Sequence, residues 1–246
     1  MTLIDSISID RRLIVHQRDQ QLIPAQGFET YDNVGNPSYQ LCEVGVFLDY
    51  FSDAQGNFVW PEGRTHVCLF SPKFFQKTNL SIARFEAYLG RYLPDCDAVI
   101  FNPYPQAKMN RRNLWKRGNR KHPGLLDLTE FTSLDRNTLL KHHHGVRYTT
   151  YCNYVVANQK FWARYIDFIR PIASDLMSAY QEGKIPDRYF HHQKPLSEIP
   201  YFLERCMSDF LLLNDGEIRF KKINRGRKLY LSKFVVEPWS ALGRLF

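Results

Sequence analysis

The sequence predicts an α/β fold in which a mostly parallel sheet is flanked by helices. Three β-rich segments, residues 12–17, 66–70 and 98–101, alternate with helical patterns over residues 12–130. This alternation is typical of parallel strands joined by crossover helices, which cover both faces of the sheet. No linker rich in Gly, Ser or Pro interrupts the 246 residues. We therefore expect a single domain over residues 1–246.

The strands are predicted from short β-branched and aromatic runs that stop at turn residues. A loop rich in Pro, Gly and Asn follows the first run and is expected to reach Pro37. The third run stops at Asn102 and Pro103. Residues 148–157 are again β-branched and aromatic, which predicts a further extended segment.

The helices are predicted where apolar residues recur at intervals of three and four. The segments with this spacing are residues 41–51, 82–92, 125–128, 162–180 and 198–213. Ser38 and Asn79 stand where side chains that cap the first two helices are expected. Pro171 lies inside the longest apolar stripe and predicts a kink or a break there.

Ligands of parallel sheets gather at the carboxyl ends of the strands. In this chain those ends are predicted at residues 17–19, 71–73 and 102–104. Lys73 and Lys77 follow the second strand, where their charges could neutralise a phosphate group. The alternative is that both are surface residues beside a helix.

Positive charge is concentrated in two segments of the chain. Residues 108–121 and 219–233 each carry seven Lys or Arg and no acid, whereas the rest has 19 basic against 25 acidic residues. The whole chain has a formal charge of +8. This segregation predicts an anionic partner, unless the segments are solvated loops. The partners that fit are a nucleotide diphosphate, a lipid-linked phosphate, an anionic membrane surface and a nucleic acid.

The basic segments also contain the aromatic residues Trp115, Phe220 and Tyr230. Aromatic rings can stack on bases while Lys and Arg follow the phosphates. The pattern supports an alternative function as a nucleic-acid-binding or processing protein. No RRM, helix-turn-helix, KH or zinc-finger pattern accompanies it.

Composition and motifs argue against several classes of protein. The start of the chain lacks the basic and apolar regions of a signal peptide, and no apolar run approaches the ~20 residues of a membrane span. Five scattered cysteines without a CxxC pair indicate free thiols in a reducing compartment. We therefore expect a cytoplasmic protein, with the inner face of the membrane as an alternative location. The motifs GxGxxG, GxSxG and HExxH are absent.

The consecutive residues His142, His143 and His144 look like metal ligands. Because neighbouring side chains point in divergent directions, we predict an exposed loop there instead. The pair His191 and His192 is interpreted in the same way.

Five segments in a fixed order connect the chain to a known family. They are residues 70–81, 97–103, 122–125, 151–162 and 202–208. These segments resemble uncharacterised glycosyltransferase-like proteins of bacterial surface-polysaccharide (O-antigen or capsule) clusters. The resemblance implies a GT-A-like fold. It also implies transfer of a sugar from a nucleotide-sugar donor to a polysaccharide or lipid-linked glycan acceptor.

The resemblance further implies roles for individual residues. Those assigned to donor binding are Lys73, Lys77, Asp97, Asn102 and His122. In related transferases an Asn-Tyr strand and the aromatic helix after it line the acceptor side, which here implies Asn153 and Trp162. A helix carrying Glu-Arg closes the site, which here implies Glu204 and Arg205.

The metal of such transferases stays open. Asp95 and Asp97 spell DxD, the metal-and-diphosphate signature of many glycosyltransferases, but both precede the strand at 98–101 instead of following it. We therefore predict that they are not an obligatory metal pair, and no metal ligand is assigned. Mn²⁺ or Mg²⁺ remains open as a cofactor, since Lys or Arg can take over its role.

Glu204 is the predicted general base. The last helix is expected to bury Ile199, Phe202, Leu203, Cys206 and Phe210, which places Glu204 near the edge of the apolar arc and Asp209 on the wetter side. Half-burial raises the pKa of a carboxyl toward the value that a base needs. Arg205 beside it could bind phosphate or orient the carboxylate. The alternative is a surface glutamate paired with Arg205 or Arg188.

Overall fold

A six-stranded sheet forms the centre of the protein in a computed structural model that describes residues 7–16, 27–104, 113–191 and 194–224. Its strands are β1 (Ile9–Val15), β2 (Glu29–Asp32), β3 (His66–Phe70), β4 (Ala98–Asn102), β5 (Val155–Asn158) and β8 (Phe220–Asn224). They lie in the order β2-β1-β3-β5-β4-β8. β6 (Tyr189–His191) and β7 (Lys194–Leu196) pair with each other as a separate antiparallel ribbon.

Five of the six central strands run in the same direction. β5 is antiparallel to both of its neighbours, β3 and β4. The predicted α/β fold with a mostly parallel sheet is therefore confirmed. The reversal brings the start of β5 to the edge of the sheet where β3 and β4 end. The turn before β5 consequently reaches the edge at which parallel sheets bind ligands.

Helices cover both faces of the sheet. They are α1 (Glu43–Tyr50), α2 (Phe74–Thr78), α3 (Ile82–Tyr92), α4 (Leu114–Lys121), α5 (Arg136–Lys141), α6 (Gly145–Tyr148), α7 (Gln159–Gln181) and α8 (Ile199–Leu213). Short 3-10 helices span Tyr39–Leu41, Leu93–Asp95 and Leu125–Phe131. None of the helices in the described part of the chain has both the length and the apolar character of a membrane span.

Side chains on the central strands alternate between two apolar cores. On β3, Val67 and Leu69 join the core that contains α1, α7 and α8, whereas Cys68 and Phe70 join the core under α3. All five residues of β3 are buried. A strand that is buried on both faces reads as a continuous apolar run, which explains why β3 was predictable.

Several strands and helices begin or end at residues other than those predicted from the sequence. β1 starts at Ile9 rather than residue 12, and β2 lies within the segment predicted as a loop. The predicted extended segment at 148–157 shortens to β5, and α6 occupies its start. The segment at 125–128 forms a 3-10 helix. α7 continues through Pro171, so the predicted break is wrong.

The predicted helix caps were also misplaced. Ser81 caps α3 and accepts a hydrogen bond from the Arg84 backbone N–H at 3.3 Å, whereas Asn79 adopts the left-handed conformation at the end of α2. The Ser38 side chain makes no capping hydrogen bond. The chain enters α1 through Cys42 instead, which has a φ of 48°.

Trp162 lies in the core and not at an acceptor site. Its side chain is fully buried against the rings of Phe47 and Phe51, and its indole N–H donates to the Val67 carbonyl at 3.1 Å. The prediction that Trp162 contacts an acceptor is therefore corrected. Its position in α7 turns the side chain toward the sheet. The one hydrogen-bond donor of the indole is already used there by the Val67 carbonyl, so it is not available to a ligand.

Candidate active site

A cavity of about 260 Å³ lies at the carboxyl edge of the sheet. Residues that follow three parallel strands line one wall, namely His16 after β1, Asn33 after β2 and Ser71 after β3. The turn before β5 and the first turns of α8 contribute further lining residues. The volume of the cavity is slightly below the range of small-molecule sites, which starts at about 300 Å³.

Four of the predicted site residues meet in this cavity. Lys73, Lys77, Asn153 and Glu204 all line it. They come from a strand end, a short helix, a turn and a long helix, which are far apart in the sequence. Two cations, an amide and a carboxylate thus face one small volume, and this combination can bind a phosphorylated sugar and accept a proton.

Glu204 is held in place by the turn before β5. The Cys152 backbone N–H donates to Glu204 Oε1 at 2.8 Å. Burial raises the pKa of the Glu204 carboxyl, although Arg205 and the Cys152 N–H act in the opposite direction. A carboxyl with a raised pKa that borders a cavity is suited to general base catalysis.

Backbone strain is concentrated around the cavity. Cys42, Cys152 and Asn153 line it and have φ values of 48°, 67° and 43°. The other described non-glycine residue with a positive φ is Asn79, at a helix end. Left-handed backbone at an ordinary residue costs about 1–3 kcal/mol and accumulates at functional sites. The strain therefore supports the functional importance of this cavity independently of its charges.

The amide oxygen of Asn153 faces the same region. Asn153 is 4% exposed, and its Oδ1 has no hydrogen-bond partner among the described residues. A buried amide oxygen without a donor costs about 1–3 kcal/mol. A hydroxyl or amide donor from a bound ligand would remove that cost.

The two lysines differ in their surroundings. Lys77 is partly buried, and its Nζ lies 3.6 Å from Cys152 Sγ and 5.9 Å from the centre of the Tyr154 ring. Lys73 is exposed at the start of α2. No carboxylate forms an ion pair with either lysine within the described segments, so both charges are available to an anion.

The two thiols in the cavity are not nucleophiles at neutral pH. Burial is the largest cause that raises the pKa of Cys42 and of Cys152 far above the ordinary value for a thiol. A thiolate is the reactive form of cysteine, and neither residue supplies one. The cavity residues that carry a carboxyl or imidazole are His16, Glu43 and Glu204, and Glu204 is the one that was predicted from the sequence as the base.

Two other predicted site residues, Asn102 and His122, do not line the cavity. Asn102 is 1% exposed, and its side chain donates to the Tyr104 carbonyl at 3.1 Å and to Asn224 Oδ1 at 3.0 Å. β5 separates β4 from β3, and Asn102 moves away from Lys73 for this reason. His122 stacks on the outer side of Tyr201, which does line the cavity.

Arg205 points away from the cavity toward α4. Its guanidinium donates to the Tyr201 carbonyl and packs so closely on Gly118 that a Cβ there would overlap it. Arg205 is 5% exposed, and burial lowers its pKa. The prediction that Arg205 binds phosphate directly is corrected, because one residue of helix rotates it about 100° from Glu204.

Asp97 belongs to the opposite edge of the sheet. Its carboxylate accepts from the Arg219 backbone N–H at 2.8 Å and from Asn158 Nδ2 at 3.1 Å, and Lys160 Nζ lies 3.5 Å away. Asp95 is exposed in a neighbouring 3-10 helix. A carboxylate that faces a lysine and two N–H donors does not fit a metal ion. The implied Mn²⁺ or Mg²⁺ therefore has no fitting DxD pair here, and Asp97 is not a donor-binding residue.

Replacing Asp97 with asparagine is expected to lower the free energy of unfolding by about 1–3 kcal/mol at neutral pH. Burial opposes ionisation, but the Arg219 N–H, Asn158 and Lys160 together lower the pKa of Asp97. The ionised carboxylate therefore stabilises the fold at neutral pH, and this contribution disappears as the pH falls through the folded-state pKa. Denaturant unfolding at neutral and acidic pH measures the effect.

The matched control is Asp95→Asn, because Asp95 is an exposed acid two residues away. We expect little change in its stability at either pH. If both variants instead lose manganese-dependent activity to the same degree and keep wild-type stability, the acids are a metal pair after all.

A second polar cluster was missed by the sequence interpretation. His142 Nδ1 donates to Asp209 Oδ1 at 2.6 Å, and His144 Nε2 lies 2.9 Å from the same oxygen. His144 and Asp209 are both fully buried. The segment is a loop with His143 exposed, as predicted, but the prediction of exposure is wrong for the buried His144, and that of Asp209 on the wetter side is wrong as well. The spacing His-x-His was the available signal.

The basic segments are described only in part. Residues 108–112 and 225–233 of these segments, including Tyr230, lie outside the described residues. Trp115 is fully buried and donates its indole N–H to Asp209 Oδ2 at 2.8 Å. Its predicted role in stacking on bases is corrected for that reason. His192 also lies outside the described residues.

Several cavity residues were not predicted from the sequence. They are His16, Asn33, Asn36, Tyr39, Glu43 and Tyr201. Asn33 and Asn36 follow β2, a four-residue edge strand whose exposed polar residues give little apolar signal. Because β2 was not predicted from the sequence, the rule that ligands bind at strand ends could not identify Asn33 and Asn36.

Comparison with known proteins supports the fold. No protein-family model and no curated protein matches the chain. Its structure is similar to the apo structure of WbbM, a bifunctional glycosyltransferase, with a TM-score of 0.52 and 13% sequence identity. The likeness covers 91% of this chain and 46% of that chain, so this chain spans less than half of the neighbour's length. At this identity the likeness shows a shared, glycosyltransferase-like fold and nothing finer.

Proposed function

We propose that the chain is a glycosyltransferase that transfers a sugar from a nucleotide-sugar donor to a glycan or lipid-linked glycan acceptor. The observation that carries this proposal is the convergence of Lys73, Lys77, Asn153 and Glu204 on one cavity at the carboxyl edge of the sheet. The likeness of the fold to a glycosyltransferase structure adds support.

In the proposed reaction the bond between the sugar C1 and the diphosphate oxygen breaks as a bond to the acceptor oxygen forms. The diphosphate leaves with the electron pair, and Lys73 and Lys77 stabilise its charge. Glu204 takes the proton of the acceptor hydroxyl, which is the role of a base when the transfer inverts the configuration. Asn153 Oδ1 accepts a hydrogen bond from a hydroxyl of the acceptor.

The positions of the lysines suit this role without a bound metal. Lys73 lies at the end of a parallel strand and Lys77 one helical turn later, so both ammonium groups can approach one diphosphate. Glu204 comes from α8 and lines the same cavity. It lies near Lys77, since Glu204 Oε1 accepts from the Cys152 backbone N–H at 2.8 Å and Lys77 Nζ lies 3.6 Å from Cys152 Sγ.

Replacing both lysines with glutamine is expected to weaken binding of a nucleoside diphosphate by at least about tenfold. Hydrogen bonds to charged groups contribute about 1.5–3 kcal/mol each, so loss of two exceeds one factor of ten. Binding of the uncharged nucleoside should change much less. A thermal-shift screen of nucleotides and nucleotide sugars identifies the ligand, and titration calorimetry measures both affinities.

Lys141→Gln is the matched control, since Lys141 is exposed on α5 and lies outside the cavity. Equal affinity of wild type and the double variant for every nucleotide would contradict the proposed donor site. Tight, strongly salt-dependent binding of arbitrary oligonucleotides, without nucleotide-sugar binding, would instead support the nucleic-acid alternative.

A further inference from the structure

The cluster of His142, His144 and Asp209 lies apart from the proposed active site. Asp209 follows Glu204 by five residues on α8, which places the two carboxyls about 140° apart around the helix. None of the three residues lines the cavity. The cluster therefore needs an explanation of its own.

The ligand-type atoms of the three residues converge on one point. His142 Nδ1, His144 Nε2 and an Asp209 oxygen all lie within 4.8 Å of one another. Among the residues that the structure describes, no other group of three or more His, Cys, Asp and Glu side chains converges in this way. His144 and Asp209 are buried, whereas the His142 side chain is 15% exposed.

Asp209 is paired with two histidines and with no Lys or Arg among the described residues. Trp115 donates to its second oxygen, which fixes the orientation of the carboxylate. A buried carboxylate favours a cation beside it, and an oriented carboxylate is what a metal site requires.

We propose that His142, His144 and Asp209 bind a zinc ion, with a water molecule as the fourth ligand. Three protein ligands and a water are a frequent tetrahedral arrangement for zinc. Two imidazoles and one carboxylate suit zinc, whereas magnesium, manganese and calcium prefer oxygen ligands. The partly exposed His142 side marks the position at which water can reach the ion.

To accept the ion, the three ligand atoms, which now lie within 4.8 Å of one another, would have to move to tetrahedral spacing. With zinc–ligand bonds of about 2.0–2.1 Å, tetrahedral ligand atoms lie about 3.3–3.4 Å apart. The pairs at 2.6 and 2.9 Å would open by less than about 1 Å. Each imidazole would carry its proton on the nitrogen that faces away from the ion. For His144 that nitrogen is Nδ1, which is buried and has no hydrogen-bond partner among the described residues.

The zinc ion would stabilise two elements that line the cavity, α8 and the turn before β5. It would tie the segment at 142–144 to α8, and Ser208 on the same helix already bonds both backbone groups of Thr150. Thr150 precedes the strained turn at Cys152 and Asn153 by two residues. The proposed ion would thus act on the position of α8 and of the turn before β5, and its ligands lie outside the cavity of the proposed transfer.

The test uses the full chain without a histidine tag. After removal of metal by a chelator, we expect uptake of one zinc ion per chain. At a free zinc concentration 100 times Kd, Tm should rise by about 5–10 °C. The metal content is measured by elemental analysis, and cobalt should give the visible absorption of a tetrahedral site. Magnesium should give no comparable rise.

His142→Gln is expected to abolish stoichiometric uptake, and His143→Gln is the matched control because His143 is the exposed residue between the two ligands. Circular dichroism confirms that the His142 variant folds. Failure of the folded wild-type chain to bind zinc at micromolar concentrations would overturn the proposal. Equal uptake by wild type and His142→Gln would overturn it as well. Neither measurement uses a sugar donor, so it is independent of the proposed glycosyl transfer.

Discussion

Replacing Glu204 with glutamine is expected to reduce turnover by about 100-fold or more. A positioned general base typically contributes about 10²–10⁴-fold to the rate. Glutamine keeps the shape of the side chain and can still accept the Cys152 backbone hydrogen bond, which is 2.8 Å long in the wild type. It cannot take a proton from the acceptor hydroxyl. Release of nucleoside diphosphate from the donor in the presence of acceptor measures the effect.

The pH profile separates a catalytic role of Glu204 from a structural one. Because burial raises the pKa of Glu204, the ionised base is lost at a higher pH than for an ordinary glutamate. Wild-type turnover should therefore fall as the pH drops through that raised pKa, and this limb should be absent from Glu204→Gln. Donor affinity and Tm should stay close to wild type.

Glu130→Gln serves as the control, since Glu130 is exposed and lies outside the cavity. Its turnover and pH profile should match wild type. Near-normal turnover of Glu204→Gln would end the assignment of Glu204 as the base, whatever the donor affinity of the lysine variants.

Replacing Trp162 with alanine is expected to lower the free energy of unfolding by about 3–5 kcal/mol. The substitution opens a cavity beside Phe47 and Phe51 and leaves the Val67 carbonyl without the indole N–H. Trp162→Phe should cost less, because it keeps most of the apolar contact and loses mainly the hydrogen bond. Denaturant unfolding, monitored by circular dichroism, measures both variants.

The kinetics of Trp162→Phe then test whether Trp162 is a core residue without a role in acceptor binding. At a temperature where Trp162→Phe is fully folded, its KM for the acceptor should equal that of wild type. A raised acceptor KM with unchanged stability would restore the original prediction that Trp162 contacts the acceptor.

The outcome for the individual strands shows what local sequence can predict. β3 and β4 are buried on every residue, and their apolar runs identified them directly. β2 is a polar edge strand, and β8 lies in a basic segment with intermediate and exposed residues. Neither strand has the run of buried apolar residues from which a strand is recognised in the sequence.

The candidate site was predictable in part for the same reason. Lys73 was selected because it follows a strand that the sequence identified correctly. Asn102 follows an equally clear strand, yet β5 inserts between β3 and β4 and moves it away from the cavity. A strand order is set by long-range pairing, and the sequence of β4 alone contains no information about it.

By itself the sequence determined the α/β class, the two buried strands and the long helices with their apolar residues. These features depend on residues within a few positions of each other, where spacing fixes which face is buried. Only the tertiary structure decided that Trp162 is a core residue and that Asp97 serves the opposite edge of the sheet. It also decided that His142 and His144 meet Asp209, which follows more than sixty positions later. Such contacts arise from how the elements pack, and that packing is a property of the whole chain.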